Sequence, residues 1–216
     1  MKILAINGSP NRSGATSKLI DMVLNVLKSK GIQCEKVHLE DYSIQSCICC
    51  GSCVAGVGCG IDDDYLHLKA KLLEADGIVI GSPNYNGKPV DNLKDFVDRF
   101  SPAVSACGIL RKKFILGVAT SAVDDCGEVA KYCASFGGAL YTGGGDVSGI
   151  LHENTVTIDG IKDLLKDEDV KNRVRVATEK LIQDIEKGET SPGAKLLKLA
   201  VFGVRNSRNK RNRRNR

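Results

Sequence analysis

A chain of 216 residues that is 42% hydrophobic, 26% charged and 5% aromatic, with no tryptophan, has the make-up of one globular domain rather than two. The net charge of +5 is concentrated at one end: residues 205–216 hold seven Lys and Arg and no acid, which leaves residues 1–204 at −2. That distribution argues against a nucleic-acid-binding domain, and no run approaches the roughly 20 apolar residues of a membrane span.

Residues 2–7 (KILAIN) form a short apolar run closed by Gly8-Ser9-Pro10 and are expected as a buried strand. Ser13–Lys30 carries Leu19, Ile20, Val23, Leu24 and Leu27 at helical spacing and stops at Gly31. A second strand is expected at Gln33–Leu39, after which residues 40–61 show no periodicity. Helix Asp62–Glu74, strand Gly77–Gly81, helix Asp91–Phe100, strand Lys113–Ala119 and helix Asp125–Phe136 continue the alternation. A strand near Ala139–Thr142 and one or two helices over Lys162–Lys187 close it, and no internal repeat is present.

Strands alternating with helices imply an α/β fold, a doubly wound parallel sheet with right-handed crossovers and helices on both faces. Such sheets take ligands outside the carboxyl ends of their strands. Residues 1–188 are therefore expected as the domain, 189–204 as an apolar arm, and the Asn/Arg-rich stretch 205–216 as a disordered basic tail. The start, MKILAINGSP, has no secretory pattern, so a reducing cytoplasm is the expected compartment.

The loop Asn7–Ser17 joins a strand to a helix, where free backbone amides and the helix dipole favour an anion. Ser9, Ser13, Thr16 and Ser17 add hydroxyls, and Arg12 adds charge. There is no GxGxxG and no Gly-Lys-Ser/Thr triplet, which disfavours a dinucleotide site and removes the P-loop. A terminal monophosphate suits the loop; the plainer alternative is a set of Ser/Thr helix caps. After the third strand, Gly81-Ser82-Pro83-Asn84-Tyr85-Asn86-Gly87 offers an aromatic ring and a run of amides, or simply a turn with a surface Tyr.

The combination of strand–Gly-Ser-Pro, then Gly-Ser-Pro-x-Tyr-x-Gly, then Leu93-Lys94-Asp95-Phe96-Val97-Asp98-Arg99 resembles the NADPH-dependent FMN reductase family over about residues 1–185. That resemblance implies a flavodoxin-like fold of five parallel strands with FMN as cofactor. It implies Ser9, Asn11, Ser13, Thr16 and Ser17 around the FMN phosphate, with Pro83, Asn84, Tyr85, Asn86 and Gly87 around the ring. Thr120 and Ser121 would approach the pyrimidine edge. The family has Arg directly after Ser-Pro, whereas this chain has Asn11 and then Arg12.

Five of nine cysteines fall between residues 47 and 59. Cys47, Cys50, Cys53 and Cys59 make C-x2-C-x2-C-x5-C, a spacing that suits four thiolates on a [4Fe–4S] cluster, with glycines permitting the tight turns. The segment and the following Asp62-Asp63-Asp64 resemble the iron–sulfur flavoprotein branch of the same family. Zinc, disulfides or an empty loop are the competing readings; Cys49 is a spare thiol or substitute ligand. Cys34, Cys107, Cys126 and Cys133 read as small apolar residues. His38, His67 and His152 form no pattern with their neighbours.

The expectation is an FMN-dependent oxidoreductase passing electrons between FMN and the cluster, with no protein nucleophile or general base. Its electron donor would be NAD(P)H or a ferredoxin-like protein. A cluster-free NAD(P)H:FMN or quinone reductase is the first alternative, and a non-enzymatic module docked by its basic tail is the second. Residues 194–204 are expected to pack across a partner subunit in a homodimer or homotetramer, or to touch a membrane surface.

Overall fold

A computed structural model describes residues 1–122, 125–136, 146–157, 160–161 and 163–188. The expected strand at Ala139–Thr142, the apolar arm and the basic tail lie outside the described residues.

The chain runs β1 (Lys2–Asn7), α1 (Ala15–Ser29), β2 (Gln33–His38), α2 (Tyr65–Glu74), β3 (Gly77–Pro83), α3 (Asp91–Cys107), β4 (Phe114–Ser121), α4 (Gly127–Ala134), β5 (Asp146–Asn154) and α5 (Glu168–Lys187). A two-stranded ribbon of β6 (Val156–Thr157) and β7 (Gly160–Ile161) precedes α5. Strands β1 to β5 form one sheet in the order β2-β1-β3-β4-β5, every pair parallel. This is the flavodoxin-like order, whose reversal point lies between β1 and β3.

Strand side chains alternate between two faces, and each face has its own core. Ile3, Ala5, Val79, Phe114, Leu116 and Val118 pack with α1 and α5. Leu4, Ile6, Ile78, Ile80 and Ile115 pack on the other face with α2, α3 and α4. β1, β3 and β4 are buried along their length, as central strands covered on both sides must be. Close helix–sheet approach requires Gly117: a Cβ there would lie 2.1 Å from the Ala130 carbonyl oxygen of α4.

Several boundaries move by two or three residues, among them the start of α2 at Tyr65 rather than Asp62, and one moves further. α3 runs through Pro102 to Cys107 instead of stopping at Phe100; the ring removes one intrahelical hydrogen bond without ending the helix. A strand that the sequence reading did not single out, Asp146–Asn154, pairs along β4 with a register shift between Ile115 and Leu116. Among the described residues after 162 a single helix is present: Asp167 caps α5 by accepting from the Asp169 and Val170 amides, and Gly188 ends it at φ 65°. Among the described residues no helix is long and apolar enough to cross a membrane.

Candidate functional site

The loops that follow β1, β3 and β4 meet at the carboxyl edge of the sheet. The first is tied down at Gly8, whose amide donates to Gly81 O at 2.8 Å and whose Cβ, if present, would sit 3.0 Å from that oxygen. Asn7 braces it from below. Its Oδ1 accepts the Ser9 amide at 3.1 Å and its Nδ2 meets His38 Nδ1 at 2.9 Å. The Ser9 hydroxyl bridges the Asn11 backbone, accepting its N–H at 3.2 Å and donating to its carbonyl at 3.3 Å. Asn11 Oδ1 in turn accepts from the Ser13 amide and hydroxyl. Gly14 caps α1 with no side-chain hydrogen bond, so the first-turn amides stay available to an anion.

The remaining expected phosphate residues point in different directions. Thr16 Oγ1 lies 2.7 Å from Thr120 Oγ1, a buried bond joining α1 to the end of β4. Only one of the two hydroxyl protons is used in that bond, so the pair keeps one donor to offer. Ser17 is fully buried and its hydroxyl accepts from Lys36 Nζ of β2 at 2.8 Å. Arg12 forms an ion pair with Asp41, so its charge is engaged on the far side of the loop.

The second loop is a tight reversal in which Tyr85 and Lys88 exchange backbone hydrogen bonds of 2.9 and 3.1 Å. Asn86 (φ 53°) and Gly87 (φ 78°) take the left-handed region that such a turn demands. Asn84 fixes the turn: its Oδ1 accepts the Gly87 amide at 2.8 Å, and its own amide donates to Thr120 O at 2.7 Å. Pro83 ends β3 in register with Thr120. Tyr85 is 57% exposed, a ring standing free beside the site. At the end of β4, Ser121 O accepts from the Thr155 amide and hydroxyl, which ties this edge to the segment after β5.

The cysteine loop leaves the sheet after β2. Cys47, Cys50, Cys53 and Cys59 line one cavity of about 220 Å3, together with Cys49, Ile48, Val54 and Arg99. Cys49 (φ 54°), Gly51, Gly56 and Gly58 take positive φ, and Val54, Ala55 and Val57 turn back onto Gly51 and Ser52 through backbone bonds. The Cys49 amide donates to Cys47 Sγ at 3.4 Å. Ser52 holds the Cys50 thiol below its ordinary pKa, while the neighbouring Cys47 raises that of Cys49. The five cysteines of the loop, with Cys34, Cys126 and Cys133, are free thiols. As placed, no three Cys, His, Asp or Glu among the described residues are grouped to hold one metal ion. Cys126 and Cys133 are buried, and desolvation pushes the Cys133 thiol up to about 12, as expected of apolar fillers.

Beneath this cavity lies a pair that the sequence did not single out. Arg99 of α3 and Asp63 form an ion pair whose side chains are 1% and 2% exposed. Asp63 also accepts the Gln45 amide at 2.8 Å and the Tyr65 amide at 3.1 Å. Arg99 donates to Cys59 Sγ at 3.3 Å and to Gln45 O at 3.3 Å, and its guanidinium carbon stands 4.2 Å above the centre of the Tyr65 ring. Arg99 and Asp63 stood in motifs, but nothing in their spacing predicts contact across 36 positions.

Comparison with known proteins bears on the family and the fold. An iron–sulfur flavoprotein of Archaeoglobus fulgidus is 38% identical over 134 residues, covering 62% of this chain and 65% of that protein. One of Methanocaldococcus jannaschii is 39% identical over 102 residues, covering 47% of this chain and 53% of the other. The chain thus spans less than two thirds of either relative. Among solved structures, a flavone reductase superposes with a TM-score of 0.64 at 22% identity, over 88% of this chain and 66% of the other. That likeness is one of fold. Residues 1–135 match the NADPH-dependent FMN reductase family, which covers more than half of the sequence, and the chain belongs to that family.

Proposed function

We propose that this protein is an FMN-dependent oxidoreductase that exchanges electrons between FMN, bound at the carboxyl edge of β1, β3 and β4, and a [4Fe–4S] cluster held by Cys47, Cys50, Cys53 and Cys59. The observation that carries the reading is the presence of two features in one domain: a hydroxyl-rich loop opening onto an uncapped helix N-terminus, and a cavity lined by all four spaced thiols. The donor sets fit both groups. First-turn amides and the spare proton of the Thr16–Thr120 pair suit a phosphate, and a cluster with four thiolates is an anion that the buried Arg99 would face.

FMN would supply hydride or single-electron acceptance and the cluster single-electron transfer. The residues do the rest. The α1 amides and the spare proton of the Thr16–Thr120 pair would hold the phosphate, on a loop whose shape Ser9 and Ser13 fix through Asn11. Asn84 presents the 84–87 turn with its backbone toward the polar edge of the ring. Thr120 and Ser121 would border the ring's pyrimidine side, and Tyr85 would lend it an aromatic face. A ferredoxin-like protein or NAD(P)H is the expected donor, in a homodimer or homotetramer in the cytoplasm.

The absorbance spectrum of anaerobically purified protein, with iron, sulfide and FMN assays, tests this reading. Flavin bands over a broad additional visible absorbance, and about four irons per chain, are expected for a [4Fe–4S] cluster on four cysteines. The ungrouped placement of the thiols favours one second reading, a cluster-free NAD(P)H:FMN or quinone reductase. Flavin without iron would select it.

A further inference from the structure

The loop that carries the cysteines is braced by a side chain from another element. Arg99 of α3 reaches both stems of the loop: Gln45 O, two residues before the first cysteine, and Asp63, four residues after the last. Its other terminal nitrogen donates to Cys59 Sγ at 3.3 Å. Tyr65, which follows the loop, holds the base of this group: its ring lies under the guanidinium, and its hydroxyl donates to Arg99 O at 3.1 Å. Arg99 is 3% exposed, and its Nε has no hydrogen-bond partner among the described residues.

A buried ion pair of this kind is a poor source of stability, because well-packed apolar residues of the same volume do as well or better. The aromatic cluster around it, Tyr65, Phe96, Phe100 and Phe136, shows that an apolar solution was at hand. Planar, multiply donating geometry is what arginine provides and lysine does not. Here the three donations go to two loop stems and one cysteine.

We infer that Arg99 is a positioning residue for the cysteine loop. The stems already meet through the Gln45 amide on Asp63 at 2.8 Å and through Ser43 and Asp64, whose bonds are 2.7 and 3.1 Å. Arg99 locks that junction from α3 by holding the Asp63 carboxylate and the Gln45 carbonyl, and it sets one N–H on Cys59 sulfur as a fixed donor toward the cluster proposed above. Asp63 is its counter-charge. The clamp itself needs no cluster. The electrostatic role rests on the cluster reading: a cation and a sulfur hydrogen bond favour the more negative, reduced state and raise its potential.

The test uses the full chain with Arg99→Gln, Arg99→Lys and the double variant Asp63→Asn/Arg99→Gln, which leaves no unpaired buried charge. FMN per chain reports that the domain is folded. The first readout is cleavage by elastase, which cuts after small apolar residues such as Val54, Ala55 and Val57 in the loop. At least tenfold faster cleavage within 47–59 is expected in each variant that retains FMN. The second is iron and sulfide per chain and the one-electron midpoint potential after anaerobic reconstitution. Lower iron retention is expected in all three. A fall of at least tenfold in the reduction equilibrium, 59 mV, is expected in loaded Arg99→Gln, and a smaller one in the double variant, where the Asp63 charge is removed with that of Arg99. Unchanged cleavage overturns the clamp. Unchanged potential and iron content in variants, beside a loaded wild type, overturn the role toward the cluster. A wild type that takes up no iron sinks the cluster reading alone, and the cleavage result still decides the clamp.

Discussion

Replacing Thr16 by valine asks whether one hydrogen bond organises the phosphate side of the site. Thr16 and Thr120 are 2% and 4% exposed, and their hydroxyls are 2.7 Å apart. Valine keeps the branched shape that packs beside Gly81, where a Cβ would lie 3.3 Å from Thr16 Cγ2. The substitution therefore removes a hydroxyl and little else. It leaves the Thr120 hydroxyl buried without its partner, which costs about 1–3 kcal/mol. Thr120→Val should cost a similar amount for the same reason. Removing both hydroxyls leaves nothing stranded, so the double variant should recover about 1–2 kcal/mol relative to the sum of the singles. Urea unfolding at unchanged m value measures this coupling. FMN affinity should behave differently. The spare proton of the pair is lost in the double variant too, and a hydrogen bond to a charged phosphate is worth about 1.5–3 kcal/mol. Binding should weaken on the order of tenfold to a hundredfold in the double variant even as its stability returns. Strictly additive stability losses would refute the pairing, and wild-type FMN affinity in the double variant would refute the phosphate role.

Three further outcomes are expected. Gly117→Ala places a methyl 2.1 Å from Ala130 O and 2.6 Å from Ala134 N of α4, so a loss of about 3 kcal/mol or more is expected; an unchanged Tm would contradict the close packing. Partial burial first, then Lys36 and Arg12, lower the pKa of His38, whose Nδ1 meets Asn7 Nδ2, against weaker opposing effects of Asp41 and Asp21. The folded state therefore prefers neutral His38. That stabilisation is complete above the ordinary value of 6.5 and is lost as pH falls through the lower folded value. Stability measured against pH should decline below 6.5 in the wild type and less so in His38→Gln; identical slopes would exclude His38 as the cause. Cys50→Ala should lose iron while keeping FMN, and Cys49→Ala should keep both. Iron content unchanged in Cys50→Ala would remove Cys50 from the ligand set.

Local pattern was enough for the elements that build the sheet. The runs at 2–7, 77–81 and 113–119 are continuous and apolar because both faces of β1, β3 and β4 are covered, and such burial is written directly in composition. The loops after those strands, and the spacing of Cys47, Cys50, Cys53 and Cys59 on one cavity, were legible for the same reason: each is a contiguous stretch. β5 was harder to place. It is an edge strand with a half-exposed pattern, and its register shift follows from pairing with β4 rather than from its own residues.

What the folded chain alone decided is where polar side chains spend their hydrogen bonds. Arg12, Thr16 and Ser17 read alike as phosphate-loop residues, yet they turn to Asp41, Thr120 and Lys36, partners 29, 104 and 19 positions away. Arg99 and Asp63 sit in separate motifs and become one buried pair only when α3 is laid beside the stem of the cysteine loop. Apolar periodicity reports which face of an element is buried, because burial is a property of the face as a whole. A hydrogen bond depends on two particular atoms meeting within about 3 Å, and only the packing of distant elements sets that distance.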